Sequence, residues 1–294
     1  MIKFSFRYKG YDQKRLRNFL FSKLISKSLL KQIKFHGGRL MVNREPQFPS
    51  YFIHHNDLIS VYLPKENPNR NLIASHQSIN VIFENNNFLV VNKPPYLHSM
   101  PSAQDDNDSL INRVKGYLID HHLSCKTHIV TRLDGDTSGI VIFAKHHYAH
   151  SILDYELKHH QLKKYYIAVV CGHFSSNHYE IDLPIERDQN SYIKRKIDSN
   201  GKFSKTEFWV LRQNLSMAVI KVCLHTGRTH QIRVHLSAIG HPLVGDWLYN
   251  PSDKHLRRQG LHCFEVKFND PLTNQFIQCH SNLPFDIQCL INKI

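Results

Sequence analysis

An α+β architecture, with a mixed and mostly antiparallel central sheet flanked by helices, is predicted by three observations. Short apolar, β-branched runs recur at residues 140–144, 165–170, 208–211 and 219–224, each the length of a buried strand. They are joined irregularly, some by tight turns and some through a single helical stretch, whereas a regular parallel wheel needs a helix after every strand. The first third carries its own helical pattern ahead of a polar break, so a small N-terminal α/β unit precedes the larger one.

Residues 1–7 alternate like a strand and lack the long apolar core of a secretory signal. Leu16, Phe19, Leu20 and Leu24, then Leu29, Leu30 and Ile33, recur at helical spacing and predict two short amphipathic helices. His36-Gly37-Gly38 is a turn signal, and strand-like runs follow at residues 39–43 and 57–62. Lys27, Lys31 and Lys34 fall on or near one face of the second helix, where the ordinary reading is a solvated surface. Residues 65–71 are polar, contain Pro68 and have no periodicity. They predict a linker, with a small domain over 1–70, a boundary near 75 and a larger domain over 76–294.

In the larger unit, residues 81–83 and 88–91 flank Asn85-Asn86-Asn87 and predict a hairpin ending at Lys93-Pro94-Pro95. Leu110, Val114, Tyr117 and Leu118 predict a helix over 109–118, with Asp108 or Ser109 as its cap. A further helical segment is expected around 148–157.

Lys and Arg number 38 against 24 Asp and Glu, a formal excess of +14, which implies a polyanionic partner. The longest apolar runs are only strand-sized, so nucleic acid is favoured over a membrane surface. The six cysteines are scattered without a Cys-x-x-Cys pair and read as reduced structural thiols, as expected of a cytoplasmic protein. The 22 histidines include four doublets, but neighbouring residues do not share a face and no ligand spacing is present, so no metal is expected.

Three constellations stand out. Asp134 sits two residues after Arg132 in a loop of turn-formers that runs through Thr137-Ser138-Gly139 into a buried strand. Such an Asp is usually only a turn residue, but a rigid strand behind a loop is also how catalytic side chains are displayed. Arg228, His230, Arg233 and His235 are packed into one turn and a helix predicted over 229–239, which Gly240 and Pro242 end. Ile232, Leu236 and Ile239 give that helix a core stripe, and Arg233, about 100° from Ile232, can point towards a buried carboxylate. Lys164, Tyr166 and Ala168 share one face of a predicted strand. A strand tyrosine is most often core, yet it is also the residue on which an unpaired base stacks.

Taken in order, these motifs resemble the RluA/RluD family of pseudouridine synthases, which isomerise chosen uridines in ribosomal or transfer RNA. The resemblance covers nearly the whole chain: Glu84, Asn92-Lys93-Pro94, Arg132-Leu133-Asp134, Thr137-Ser138-Gly139, Lys164, Tyr166 and Ala168. It continues through Thr226-Gly227-Arg228, His230-Gln231-Ile232-Arg233, His235, Gly240-His241-Pro242, Gly245-Asp246 and Leu261-His262. Thr131 departs from it, because the family often has His there, and this leaves the subfamily open. Residues 13–63, in the order helix, helix, turn, strand, resemble the small RNA-binding domain named after ribosomal protein S-four.

The resemblance implies a sheet of the pseudouridine synthase type, Asp134 as catalytic carboxylate, and Tyr166 as a base platform whose hydroxyl helps remove the carbon-5 proton. Burial raises an aspartate's pKa and an adjacent arginine lowers it, so a partner cation is expected, and Arg233 is the choice. Arg132 is expected to fill the gap left by a flipped nucleotide or to hold its phosphate. Thr137, Lys164, Arg228, His230 and Ile232 are expected around the substrate. Lys27, Lys31 and Lys34 are expected to serve RNA binding by the N-terminal unit, and Lys163, Lys194, Arg195, Lys196, Lys202 and Lys205 to track the RNA backbone. No cofactor, metal, membrane or obligate protein partner is called for, and the expected state is a monomer acting on RNA, ribosomal before transfer RNA. Two rivals remain: an RNA-binding or ribosome-assembly protein without catalysis, and a glycosylase that would release free uracil.

Overall fold

The computed structural model describes residues 2–66, 69, 71–101, 107–123 and 126–294, so Asn67, Pro68 and Arg70 of the expected linker, and Cys125, lie outside the described residues. The first unit comprises β1 (Lys3–Arg7), β2 (Lys14–Arg15), α1 (Leu16–Ser22), α2 (Lys27–Phe35), β3 (Arg39–Val42), β4 (Glu45–Pro46), β5 (Phe52–Ile53) and β6 (Leu58–Tyr62). An antiparallel sheet in the order β1-β6-β3-β4 is covered by both helices, with β2 and β5 as a separate ribbon. The helices bury Leu16, Phe19 and Leu20, and Leu29, Leu30 and Ile33, while Lys27, Lys31 and Lys34 point to solvent. The Ser26 hydroxyl accepts the Leu29 N–H and starts α2. α1 ends before Leu24, which takes a left-handed backbone instead of extending the helix.

The larger unit runs β7 (Asn80–Glu84), β8 (Phe88–Lys93), α3 (Leu110–Asp120), β9 (His128–Ile129), β10 (Ser138–Ala144), α4 (His147–Lys158), β11 (Lys163–Cys171) and β12 (His178–Asp182). It continues with β13 (Ile185–Arg187), β14 (Arg195–Ile197), β15 (Lys205–Gln213), β16 (Met217–Leu224), α5 (Gln231–Ala238), β17 (Leu261–Asp270), β18 (Gln275–His280) and α6 (Phe285–Ile291). Ten strands form one mixed sheet with the path β12-β15-β16-β11-β17-β10-β8-β7, to which β9 and β18 add at β10 and β17. Every pairing in it is antiparallel except β10 with β17, which is parallel at Ser138 and Gly139. Several strands outrun the apolar cores that predict them, because ladder hydrogen bonds continue into polar residues such as Lys163 and Lys205.

The parallel step positions the site. β10 is buried along its whole length between β8 and β17, so the loop before it emerges at the middle of the sheet rather than at an edge. Gly139 makes the crossing possible: its φ is +115°, and a Cβ there would lie 2.2 Å from the Cys263 carbonyl oxygen.

The two units share a core boundary. Tyr148 and Ile152 of α4 complete the apolar cluster of the N-terminal unit, and the Tyr148 hydroxyl donates to the Lys23 carbonyl at 2.7 Å. Glu66, within the expected linker, is held rather than free: it accepts from the His147 N–H at 2.6 Å and pairs with His128 at 2.5 Å. Cys171, Cys223, Cys263, Cys279 and Cys289 are free thiols. Among the described residues no helix is long and apolar enough to cross a membrane.

Candidate active site

Residues 131–137 form a loop held from several sides. The Thr131 hydroxyl accepts the Ile142 N–H at 3.0 Å, and Ser99 both donates to the Leu133 carbonyl and accepts its N–H, at 2.7 and 3.0 Å. Lys93, fully buried, donates to the carbonyls of Pro94, Leu97 and Gly135 at 2.7–2.9 Å. Burial pushes its pKa down to about 7, with the charges of Asp134 and Asp136 opposing. Arg258 reaches the Asp136 carbonyl at 3.1 Å, Gln259 donates to the Thr137 hydroxyl at 3.1 Å, and the Thr137 N–H closes a turn onto the Asp134 carbonyl. Few conformations remain open to Asp134, which is the preorganisation a reacting group needs.

Facing this loop, α5 begins at Gln231 rather than 229. His230 takes a left-handed backbone (φ 57°), and Thr229 and His230 turn into the helix instead of joining it. Gln231, buried, bonds the Thr226 hydroxyl, the Arg228 N–H and the Lys205 carbonyl, so it fixes the preceding loop. Arg233 Nε and Nη2 bind both oxygens of Asp246 at 2.7 and 2.8 Å, and its Nη1 lies 3.2 Å from Asp134 Oδ2. Burial alone would lower the Arg233 pKa, but the hydrogen bonds and charge of Asp246, with Asp134 adding to them, outweigh it and raise it. Arg233 is therefore a permanent cation beside Asp134.

His230 Nε2 lies 3.8 Å from Asp134 Oδ2, and its Nδ1 meets the Tyr249 hydroxyl at 3.2 Å. Burial lowers the His230 pKa against the pull of Asp134. Tyr166, 3% exposed, stands on β11, and burial raises its pKa well above the usual phenol range, with Cys263 and Asp134 adding to it. Lys164, one turn of the pleat away, has its pKa lowered by burial.

Asp134, Tyr166, Arg233, Arg132, Thr137, Lys164, Arg228, His230 and Ile232 all line one inner pocket. It opens into a cleft of about 1070 Å³ that shares Arg132, Asp134, Lys164, Arg228, His230 and Arg233. Residues 99 positions apart in sequence thus meet at bonding distance. Lys27, Lys31 and Lys34 lie elsewhere, on the exposed face of α2.

Other residues singled out in the sequence lie outside this pocket or have partners of their own. His235 does not face the pocket, because it lies two residues beyond Arg233, about 200° round the helix. Its ring is bound between the Thr206 hydroxyl and the Leu183 carbonyl. Lys196 pairs with Asp198 at 2.7 Å and Lys205 with Glu180 at 2.8 Å, so these two cations of the expected RNA track are partly neutralised locally. His178, Glu180 and Glu207 gather within metal-ligand reach on neighbouring strands, but Glu207 is bonded to both His178 and His225. Sequence reasoning missed the parts of Asp246, Tyr249, Ser99 and Gln259. Only the Gly245-Asp246 pair gave a local signal.

Residues 87–238 match the RNA pseudouridylate synthase family. The chain is 40% identical over 271 residues to "Uncharacterized RNA pseudouridine synthase YjbO" of Bacillus subtilis (strain 168), across 91% of this chain and 94% of that protein. It is 31% identical over 298 residues to ribosomal large subunit pseudouridine synthase D of Zymomonas mobilis subsp. mobilis, across 96% of this chain and 89% of that one. Among solved structures, human RNA pseudouridylate synthase domain containing 1 aligns with a TM-score of 0.59 at 25% identity, over 72% of this chain and 86% of its own.

Proposed function

This chain belongs to the RNA pseudouridylate synthase family, isomerases that convert uridine to pseudouridine in RNA, and we propose that Asp134 is its catalytic carboxylate and structured ribosomal RNA its substrate. The observation that carries the assignment is the pocket in which Asp134 meets Arg233 while Arg233 is itself clamped by Asp246. An ionised carboxylate is what the reaction needs. The glycosidic carbon–nitrogen bond breaks, uracil turns, carbon 5 bonds to the sugar and loses its proton, and the freed ring nitrogen gains one, with no change of redox state.

Asp134 acts as nucleophile on the sugar or base, or as the base that takes a ribose proton. The flipped uracil stacks on Tyr166, at a gain of about 1–3 kcal/mol that offsets the roughly few kcal/mol cost of leaving the helix. Because its pKa is raised, the Tyr166 hydroxyl stays protonated at neutral pH, so it helps remove the carbon-5 proton only by passing its own proton on as it takes that one. Arg132, exposed at the pocket mouth, holds the flanking phosphate or the vacated stack. The residue 1–70 unit, with Lys27, Lys31 and Lys34, adds RNA contacts of the S-four type. Ribosomal RNA is preferred over transfer RNA because a 31%-identical relative is named for the large ribosomal subunit.

The test is release of tritium from RNA labelled at uridine carbon 5. Asp134→Asn is expected to abolish release while RNA binding survives. Full turnover by that variant would refute the assignment, and free uracil among the products would point to a glycosylase.

A further inference from the structure

Trp247 follows Asp246 directly, and its indole N–H donates to Asp136 Oδ2 at 3.0 Å. Asp136 lies two residues beyond Asp134, so this bond ties the loop after α5 to the loop carrying the proposed carboxylate. The bond uses only the edge of the indole. The ring remains 53% exposed and lines the outer cleft together with Arg132 and Arg228.

Exposed aromatics occur singly on this surface, so what distinguishes Trp247 is its place in the cleft and its bond to Asp136. Here it stands among cations that suit a phosphate backbone. Tyr166 lines the inner pocket and Trp247 does not, while Trp247 lines the outer cleft and Tyr166 does not. The two aromatics therefore stand in different parts of the site. An indole face held in advance offers a stacking surface without the entropy cost of ordering a free side chain.

We propose that Trp247 is a stacking platform for an unpaired base next to the flipped uridine, and so a determinant of which RNA contexts this enzyme accepts. The proposal rests on the reading of the inner pocket as the uridine site. Because stacking tolerates any base, Trp247 would select for an unstacked neighbour rather than for its identity.

Two variants separate the ring from its hydrogen bond, since Trp247→Ala removes both and Trp247→Phe keeps a ring without the N–H. With RNA from cells lacking the protein, labelled at uridine carbon 5, Trp247→Ala should raise KM by roughly 10–100-fold and leave kcat within about threefold. Trp247→Phe should stay within about threefold of wild type in both. Equal impairment of the two variants, or a fall in kcat at unchanged KM, would overturn the proposal in favour of a purely structural tie to Asp136.

A second measurement does not depend on turnover. In a Trp209→Phe background, where Trp247 is the sole tryptophan, its fluorescence should be quenched by a nine-nucleotide single-stranded RNA with adenosines flanking a central uridine. The same oligonucleotide with abasic flanks should quench much less, and equal quenching would sink the platform. If wild-type protein releases no tritium from any RNA, the reading of the reaction fails, while the fluorescence comparison still judges the platform.

Discussion

Arg233 grips Asp246 through two parallel hydrogen bonds of 2.7 and 2.8 Å, in a pair whose side chains are 4% and 0% exposed. Asp246 in turn accepts the N–H groups of Leu248 and Tyr249 at 3.0 and 3.1 Å. The proposed catalytic carboxylate thus receives the third nitrogen of a guanidinium whose other two are already fixed.

Asp246→Asn should release that clamp and lower the single-turnover rate by about 10²-fold, because a small displacement of a positioning group has effects of this size. Asp246→Ala should also destabilise the fold by roughly 3–5 kcal/mol, the cost of leaving a buried partner charge uncompensated. Tritium release and urea unfolding measure the two effects. A variant with normal turnover would remove Asp246 from the machinery.

Lys93 makes stability depend on pH in a defined direction. Its folded pKa is about 7, against 10.5 for the ordinary side chain. Below pH 7 the amine is charged in both states and the full burial penalty is present. Between pH 7 and 10.5 the unfolded chain binds the extra proton, so stability rises with pH by up to about 1.4 kcal/mol per pH unit from this group. The unfolding free energy of wild type minus that of Lys93→Met should rise with pH across that window, and a flat difference would mean the folded pKa is not depressed.

Tyr166 has separable parts. Tyr166→Phe should keep RNA binding within about threefold yet slow turnover by about 10²-fold or more, the usual scale for a lost proton-handling group. Tyr166→Ala should weaken binding as well, by about 1–3 kcal/mol of stacking. Equilibrium binding and single-turnover rates distinguish these outcomes, and a fully active Tyr166→Phe would leave the hydroxyl without a part.

Removal of residues 1–70 strips the cover from Tyr148 and Ile152 and takes away Glu66, the partner of His128. The truncated protein should be less stable and prone to association unless α4 is repaired, for example by Ile152→Lys. Repaired, it should retain tritium release with a raised KM, because every inner-pocket residue lies beyond position 130. Complete inactivity of a folded, repaired truncation would show that the N-terminal unit completes the site.

Much of this protein is decided locally. Many of the helices and strands follow from apolar spacing, and some ends from residues such as Ser26 and Gly240, because backbone propensity and capping act over a few positions. β12 to β14, β17, β18 and α6 are not among the elements so anticipated. The motif strings around Asp134, Tyr166 and Arg233 are likewise visible in the chain, as is the excess of positive charge. What sequence alone could not decide is which face of each element turns to which partner. His235 and Arg233 look equivalent in the string, yet 200° of helix rotation sends one to Thr206 and the other to Asp134. Asp134 meets Arg233, and Asp136 meets Trp247, where the loop before β10 comes against α5 and the loop after it, with β10 paired in parallel to β17 at Gly139. Long-range pairing sets those distances, and no local preference encodes it.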